Sequence, residues 1–123
     1  MRRTFLRAKL HRATITAADV DYEGSISLDR ALCRAAGLLE FEQVEVYDIT
    51  NGARFTTYVI YGDPGQVQVN GAAARLVRLG DRIIVAAYAE LEPGEIATHA
   101  ARIVLLGDHN RTKITHVTGV TQP

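Results

Sequence analysis

Four glycine-bearing reversals, Asn51-Gly52, Asp63-Pro64-Gly65, Asn70-Gly71 and Glu92-Pro93-Gly94, cut the chain beyond Thr50 into runs too short for a long helix. The runs between them favour strands. Residues 44–49 and 55–61 are rich in β-branched and aromatic side chains and flank Asn51-Gly52, so they predict a β-hairpin. Residues 66–69 alternate briefly before Asn70-Gly71, and residues 82–89 and 102–106 predict two buried strands, separated by Glu92-Pro93-Gly94-Glu95 and a few helix-compatible residues. Residues 72–79 are compatible with a weak helical turn. Upstream, residues 3–16 alternate, with Phe5, Arg7 and Lys9 on one side and Leu6, Ala8 and Leu10 on the other, as one or two strands would. One amphipathic helix is expected between Ser27 and Gly37, where Leu28, Leu32, Ala35 and Ala36 recur at helical spacing, with Ser27 as N-cap and Gly37 just past the end. The tail past Asn110 is polar, and its order is left open. Six to eight short strands with one or two brief helices, no βαβ rhythm and no internal repeat predict a small, mainly β barrel that closes its own edges.

A chain of 123 residues is the size of one domain, and residues 1–123 show no linker. Fourteen basic and fourteen acidic side chains cancel, so nothing in the overall charge draws the chain to nucleic acid or to an anionic membrane. Cys33 is alone and cannot form an internal disulfide; without a CxxC or His/Cys cluster, no metal is expected either. Arg7, Lys9, His11 and Arg12 interrupt what would have to be the apolar part of an export signal, and the longest apolar run, residues 83–89, has strand length. A soluble, cytoplasmic protein is the expectation.

Chemistry is suggested at Tyr22-Glu23-Gly24-Ser25, where a permissive glycine directly precedes a hydroxyl nucleophile between a strand and the predicted helix. On these residues alone a bend and a helix cap is the commoner meaning. Other blocks accompany it in order: Lys9-Leu10-His11-Arg12; residues 49–58, Ile-Thr-Asn-Gly-Ala-Arg-Phe-Thr-Thr-Tyr; Val69-Asn70-Gly71-Ala72-Ala73-Ala74; and Gly80-Asp81. Together they resemble bacterial aspartate 1-decarboxylase over nearly the whole length. The resemblance implies a six-stranded double-psi β-barrel, a homotetramer with sites at its subunit interfaces, and production of β-alanine from L-aspartate for pantothenate synthesis. It also implies self-cleavage after Gly24 into fragments 1–24 and 25–123, with Ser25 converted to a covalent pyruvoyl cofactor. Whether cleavage is spontaneous or assisted by a maturation partner is open.

Matched residue by residue, the resemblance assigns Thr57 to the oxyanion formed when Ser25 attacks Gly24, and Tyr58 to protonation of the substrate carbon. His11 and Tyr22 match positions near the cleavage point. Arg54, whose planar fork suits a carboxylate, and Lys9 would hold the substrate's side-chain carboxylate. Asn70, Gly71, Ala72 and Ala73 would offer amide groups, although a tight turn followed by small core residues explains the same letters. Tyr47 and Ile84 match pocket positions but are core residues by default. His99, His109 and His116 match no motif. The stretch 62–68 is about two residues shorter than the corresponding family loop, and Arg75 stands where a histidine is common.

Pleat geometry adds a constraint. Arg54 and Tyr58 share a face of one strand, but four residues at about 3.3 Å each separate their Cα atoms by roughly 13 Å. Either the strand bends, the arginine folds back, or the two groups serve one site from different subunits. Two other functions remain open on sequence: a pyruvoyl decarboxylase of another acidic amino acid, because one methylene is worth only about 1–3 kcal/mol in a pocket, and an uncleaved barrel acting as a binding module.

Overall fold

The alternation at the N-terminus becomes the longest strand of the computed structural model, β1 (Arg3–Thr14), which buries Ala8 and Leu10 and leaves Phe5, Arg7 and Lys9 partly exposed. All residues 1–123 are described. The register of β1 slips between His11 and Ala13, where Arg12 takes φ 68°, and this bulge bends the strand before β2 (Ala17–Asp19). The remaining strands are β3 (Ser25–Asp29), β4 (Gln43–Asp48), β5 (Arg54–Gly62), β6 (Val67–Asn70), β7 (Arg82–Leu91), β8 (Ala100–Leu106) and β9 (Thr112–Gly119). One α-helix, α1 (Arg30–Ala36), and three short 3-10 turns complete the chain. The mainly β class expected from the turn pattern is present, and no helix is long and apolar enough to cross a membrane.

Strand pairing follows the order β2-β6-β3-β5-β4-β7-β1-β8-β9. Nine strands, in place of six, arise because the N-terminal run divides into β1 and β2, because β3 forms where the helix was expected to start, and because the polar tail forms β9 against β8. The ladder order is open, with β2 and β9 at its ends. Ile15 and Thr16, between β1 and β2, donate their N–H groups to Asp81 O (2.9 Å) and Val67 O (2.8 Å). Inside lies a core that includes Leu10, Ile26, Val46, Val59, Val69 and Val85, all 1% exposed or less. Burying each such side chain stabilises the fold by roughly 1.5–3 kcal/mol.

The expected hairpin is β4–β5, reversed at Gly52 with φ 81°. The helix starts later than expected. Ser27 lies within β3 rather than capping α1, because Ile26 and Leu28 alternate into the core and β3 is paired on both sides, to β5 and β6. That pairing outweighs a helix start, and Asp29 becomes the cap instead, its Oδ1 accepting from Ala31 N at 2.7 Å. Its other oxygen accepts from Gly65 N (2.8 Å), which ties α1 to the 63–65 turn. Gly37 ends the helix in the left-handed conformation, as its position predicts. The weak helical turn expected in residues 72–79 is present as a 3-10 turn, Gly71–Leu76.

Candidate active site

Residues 21–24 form an exposed bend, and the chain re-enters the sheet at Ser25, which is only 1% exposed. Alternation along β3 sends Ile26 and Leu28 inward, so Ser25 and Ser27 occupy the other face. There they meet β6, where Ser25 is paired with Asn70 and Ser27 with Gln68. The Ser25 hydroxyl donates to Glu23 O at 3.0 Å. Asn70, fully buried, donates from Nδ2 to Ser25 Oγ (3.0 Å) and Ser27 Oγ (3.1 Å), while its Oδ1 accepts from Gln68 Nε2 (2.8 Å).

Gly71 closes the other side of the junction. At φ 75° it is in the region that favours glycine, and a Cβ there would sit 2.5 Å from Gly24 Cα and 2.9 Å from Gly24 N. The two glycine backbones therefore touch. A Cβ at Gly24 would meet nothing within 4 Å, so the chain at Gly24 is approached closely from one side and open on the other. Carrying the parallel β3–β5 register one and two residues back from Ile26–Val59 sets Tyr58 alongside Ser25 and Thr57 alongside Gly24. Tyr58 shares the outer face with Ser25, and Thr57 points the opposite way. A shallow depression of about 610 Å³ opens beside them, lined by Phe41, Gln43, Thr56, Thr57 and Tyr58.

The remaining expected site residues gather elsewhere. His11 pairs with Ile84, Ile84 with Tyr47 and Tyr47 with Arg54, so these four form one row across β1, β7, β4 and β5. Lys9 lies on the same face, paired with Ala86. The Arg54 guanidinium stacks over the Tyr47 ring at 3.9 Å, and Tyr47 shares a 2.7 Å hydroxyl hydrogen bond with Tyr88. That bond, reinforced by burial, pushes the Tyr88 phenol up to about 12. Burial first, and then the charges of Lys9 and Arg12, lower the His11 pKa, and its Nδ1 is buried with no hydrogen-bond partner.

The register against β4 runs without a slip from Tyr58 to Arg54, and Arg54 lies over β4 rather than folding back toward Tyr58. Gly24, Ser25, Asn70 and Gly71 form one cluster, with Tyr22 on the exposed bend before it and Tyr58 alongside by the carried β3–β5 register. Lys9, His11, Tyr47, Arg54 and Ile84 form another. Ala72 is exposed and Ala73 half-buried in the turn after Gly71. Ser27, Gln66 and Gln68 belong to the first cluster but escaped the sequence reading. Their signal was present: amides at 66, 68 and 70 separate buried Val67 and Val69, which places all three on one face.

Both clusters lie within residues 1–113, the span that matches the aspartate decarboxylase family. The chain belongs to that family. It is 56% identical over 113 residues to an aspartate 1-decarboxylase of Maricaulis maris, covering 90% of this chain and 93% of the relative. Over 113 residues it is 53% identical to the enzyme of that name from Methylibium petroleiphilum, with 90% and 94% covered. With the Ralstonia nicotianae protein, also named aspartate 1-decarboxylase, identity is 50% over 115 residues, covering 92% and 96%. Strand β9 falls almost wholly outside the span matched to the aspartate decarboxylase family.

Proposed function

We propose that this chain, a single domain, cleaves itself between Gly24 and Ser25 and then decarboxylates L-aspartate to β-alanine and carbon dioxide for pantothenate synthesis, in the cytoplasm. The observation that carries this reading is a serine hydroxyl pinned by a buried asparagine while the glycine before it is exposed and pressed against a second glycine. A bend that only turned the chain would need neither contact.

In maturation, Ser25 Oγ adds to the Gly24 carbonyl carbon and the C–N bond breaks, with the hydroxyl proton passing to the Ser25 nitrogen, which is left as a free amine. Thr57, alongside Gly24 when the β3–β5 register is carried back, donates to the carbonyl oxygen as it gains charge. The Cα proton of residue 25 is then lost to water and the Cβ–Oγ pair leaves with the Gly24 carboxylate; hydrolysis of the resulting dehydroalanine releases ammonia and leaves the pyruvoyl group. His11 and Tyr22 support this stage from near the junction. The exposed bend at 21–24 gives a maturation partner access.

The residues at the junction fit a group made in place from Ser25, because the new terminus remains at the Asn70 side chain. When formed, the pyruvoyl ketone supplies an electron sink for the pair released with carbon dioxide. Arg54, stiffened by the Tyr47 ring, binds the side-chain carboxylate, and Lys9 adds positive charge. Tyr58 delivers a proton to the carbon that loses its carboxylate. Asn70 and the backbone amides of Gly71, Ala72 and Ala73 hold the substrate, with Ile84 lining the site beside Tyr47. Since Arg54 and Tyr58 stand four residues apart on β5 and the Arg54 guanidinium stacks on Tyr47, the site combines the Arg54 cluster of one subunit with the Ser25 cluster of another, in a homotetramer. The strands close as a six-stranded double-psi barrel if β1 and β2 count as one bent strand and the β8–β9 pair lies outside it; the bonds from Ile15 and Thr16 support that closure.

Intact mass tests this directly. Aged protein is expected as two fragments, 1–24 and a 25–123 fragment that reacts with hydrazine reagents, whereas Ser25→Ala remains one inactive chain. Aged wild-type protein in one unreactive piece would overturn the reading, and equal or greater turnover of glutamate would overturn the substrate.

A further inference from the structure

We propose that Gln66 and Gln68 are positioning residues for chain cleavage: a one-way chain of amide hydrogen bonds runs from the Asp63 N–H to Asn70 and fixes which end of the Asn70 carboxamide faces Ser25. This rests on the self-cleavage reading above and adds a device to it.

The links are continuous. Gln66 Oε1 accepts from Asp63 N at 2.8 Å, Gln66 Nε2 donates to Gln68 Oε1 at 3.2 Å, and Gln68 Nε2 donates to Asn70 Oδ1 at 2.8 Å. Asn70 Nδ2 then donates to Ser25 and Ser27. The oxygen and nitrogen ends of a carboxamide are nearly equal in shape, so packing alone does not choose between them. Nor do the serines, since a hydroxyl both donates and accepts. A backbone N–H only donates. Starting from Asp63, each amide therefore has one orientation that avoids opposing two donors or two acceptors, and the last step turns N–H toward Ser25. Gly62 makes room for the first link: a Cβ there would collide with Gln66 Oε1.

The direction matters to the chemistry. As the Cβ–Oγ bond breaks, Oγ leaves as part of the Gly24 carboxylate and gains negative charge. A donor at Oγ stabilises that charge, and an amide oxygen in its place would repel it. The present orientation also leaves the Ser25 proton on Glu23 O, free of Asn70.

The test uses freshly translated full-length chain, with fragment appearance followed by intact mass and folding checked by thermal melting. Gln68→Glu keeps the shape but can only accept when ionised, so Asn70 must turn its N–H toward position 68 and its oxygen toward Ser25. Cleavage is expected to slow on the order of 100-fold at neutral pH, as for loss of an oxyanion donor. The ratio of variant to wild-type rates should recover as pH falls through the carboxyl range, because the introduced carboxyl, once protonated, donates again. Ala17 and Ser27 flank position 68, and the nearest charged residues on those strands, Asp19 and Asp29, would both favour protonation. Gln66→Glu, further from Ser25, should flip the same chain and slow cleavage too, which keeps the proposal testable if Gln68→Glu fails to fold. Gln68→Met removes the polarity without reversing it and should be slowed less, with no such recovery. Folded Gln66→Glu and Gln68→Glu chains that cleave at the wild-type rate would overturn the relay, as would a Gln68→Met chain slowed equally with the same pH profile. A wild-type chain that never cleaves sinks the self-cleavage reading, and the relay with it.

Discussion

Replacing Gly71 by alanine isolates the contact between the two glycines. The added carbon would lie 2.5 Å from Gly24 Cα, whereas carbon atoms rest at about 3.5–4.0 Å, so the scissile backbone must retreat by roughly 1 Å. A displacement of about 1 Å from reactive geometry costs on the order of 100-fold in rate. Alanine at φ 75° adds about 1–2 kcal/mol of left-handed strain. Gly80→Ala separates the two effects, because Gly80 has φ 90° and nothing within 4 Å of an added Cβ. Both variants should lose about 1–2 kcal/mol of stability in urea denaturation from the strain, but only Gly71→Ala should cleave about 100-fold more slowly by timed intact mass. A folded Gly71→Ala chain that cleaves at the wild-type rate, or a Gly80→Ala chain slowed as much, would refute the steric argument.

Asp48 is 2% exposed, and its carboxyl is raised above the ordinary range, first by burial and then by Asp81 beside it. Its folded pKa exceeds the unfolded one, so the stability it contributes is full in acid and falls as pH rises from the ordinary carboxylate range through the raised value. Asp48→Asn keeps an oxygen for the Thr50 and Asn51 N–H groups, and should melt higher than wild type at neutral pH with the difference vanishing in acid; a pH-independent difference would contradict this. Mixing Arg54→Ala with Tyr58→Phe chains should restore a fraction of the activity that each lacks alone, and no recovery in confirmed mixed assemblies would count against a shared site. Asp29→Ala removes both the α1 cap and the bond to Gly65 N; about 1–2 kcal/mol should be lost in chemical denaturation, and an unchanged midpoint would show that neither bond matters.

What could be read from sequence was local. Gly37 and Gly52 announce their conformations because a positive φ is a property of one residue, and β1 shows its inward face by alternation. Ser27 misled because capping and strand pairing compete for the same residues, and the partners that decide it, β5 and β6, lie far along the chain. Strand β9 carried no amphipathic signal, since all of its residues are exposed and only β8 holds it. At the junction the residue types were visible, and family resemblance named them. The contacts were not, because Ser25 meets Asn70 through register and Gly24 meets Gly71 through the return of the chain from β6. The direction of the glutamine ladder depends on one backbone donor in a turn, which no letter of the alphabet encodes.

Strand β1 lies between β7 and β8, and β2 pairs with β6. A cut after Gly24 therefore frees a peptide that is already woven through the interior of its parent's sheet. Pairing and the buried side chains of Leu10 and Ile15 keep it in place, and native mass spectrometry would weigh both pieces together. Melting would change the bookkeeping: what first folded as a unimolecular event could be regained only by a second-order encounter, so recovery would depend on concentration.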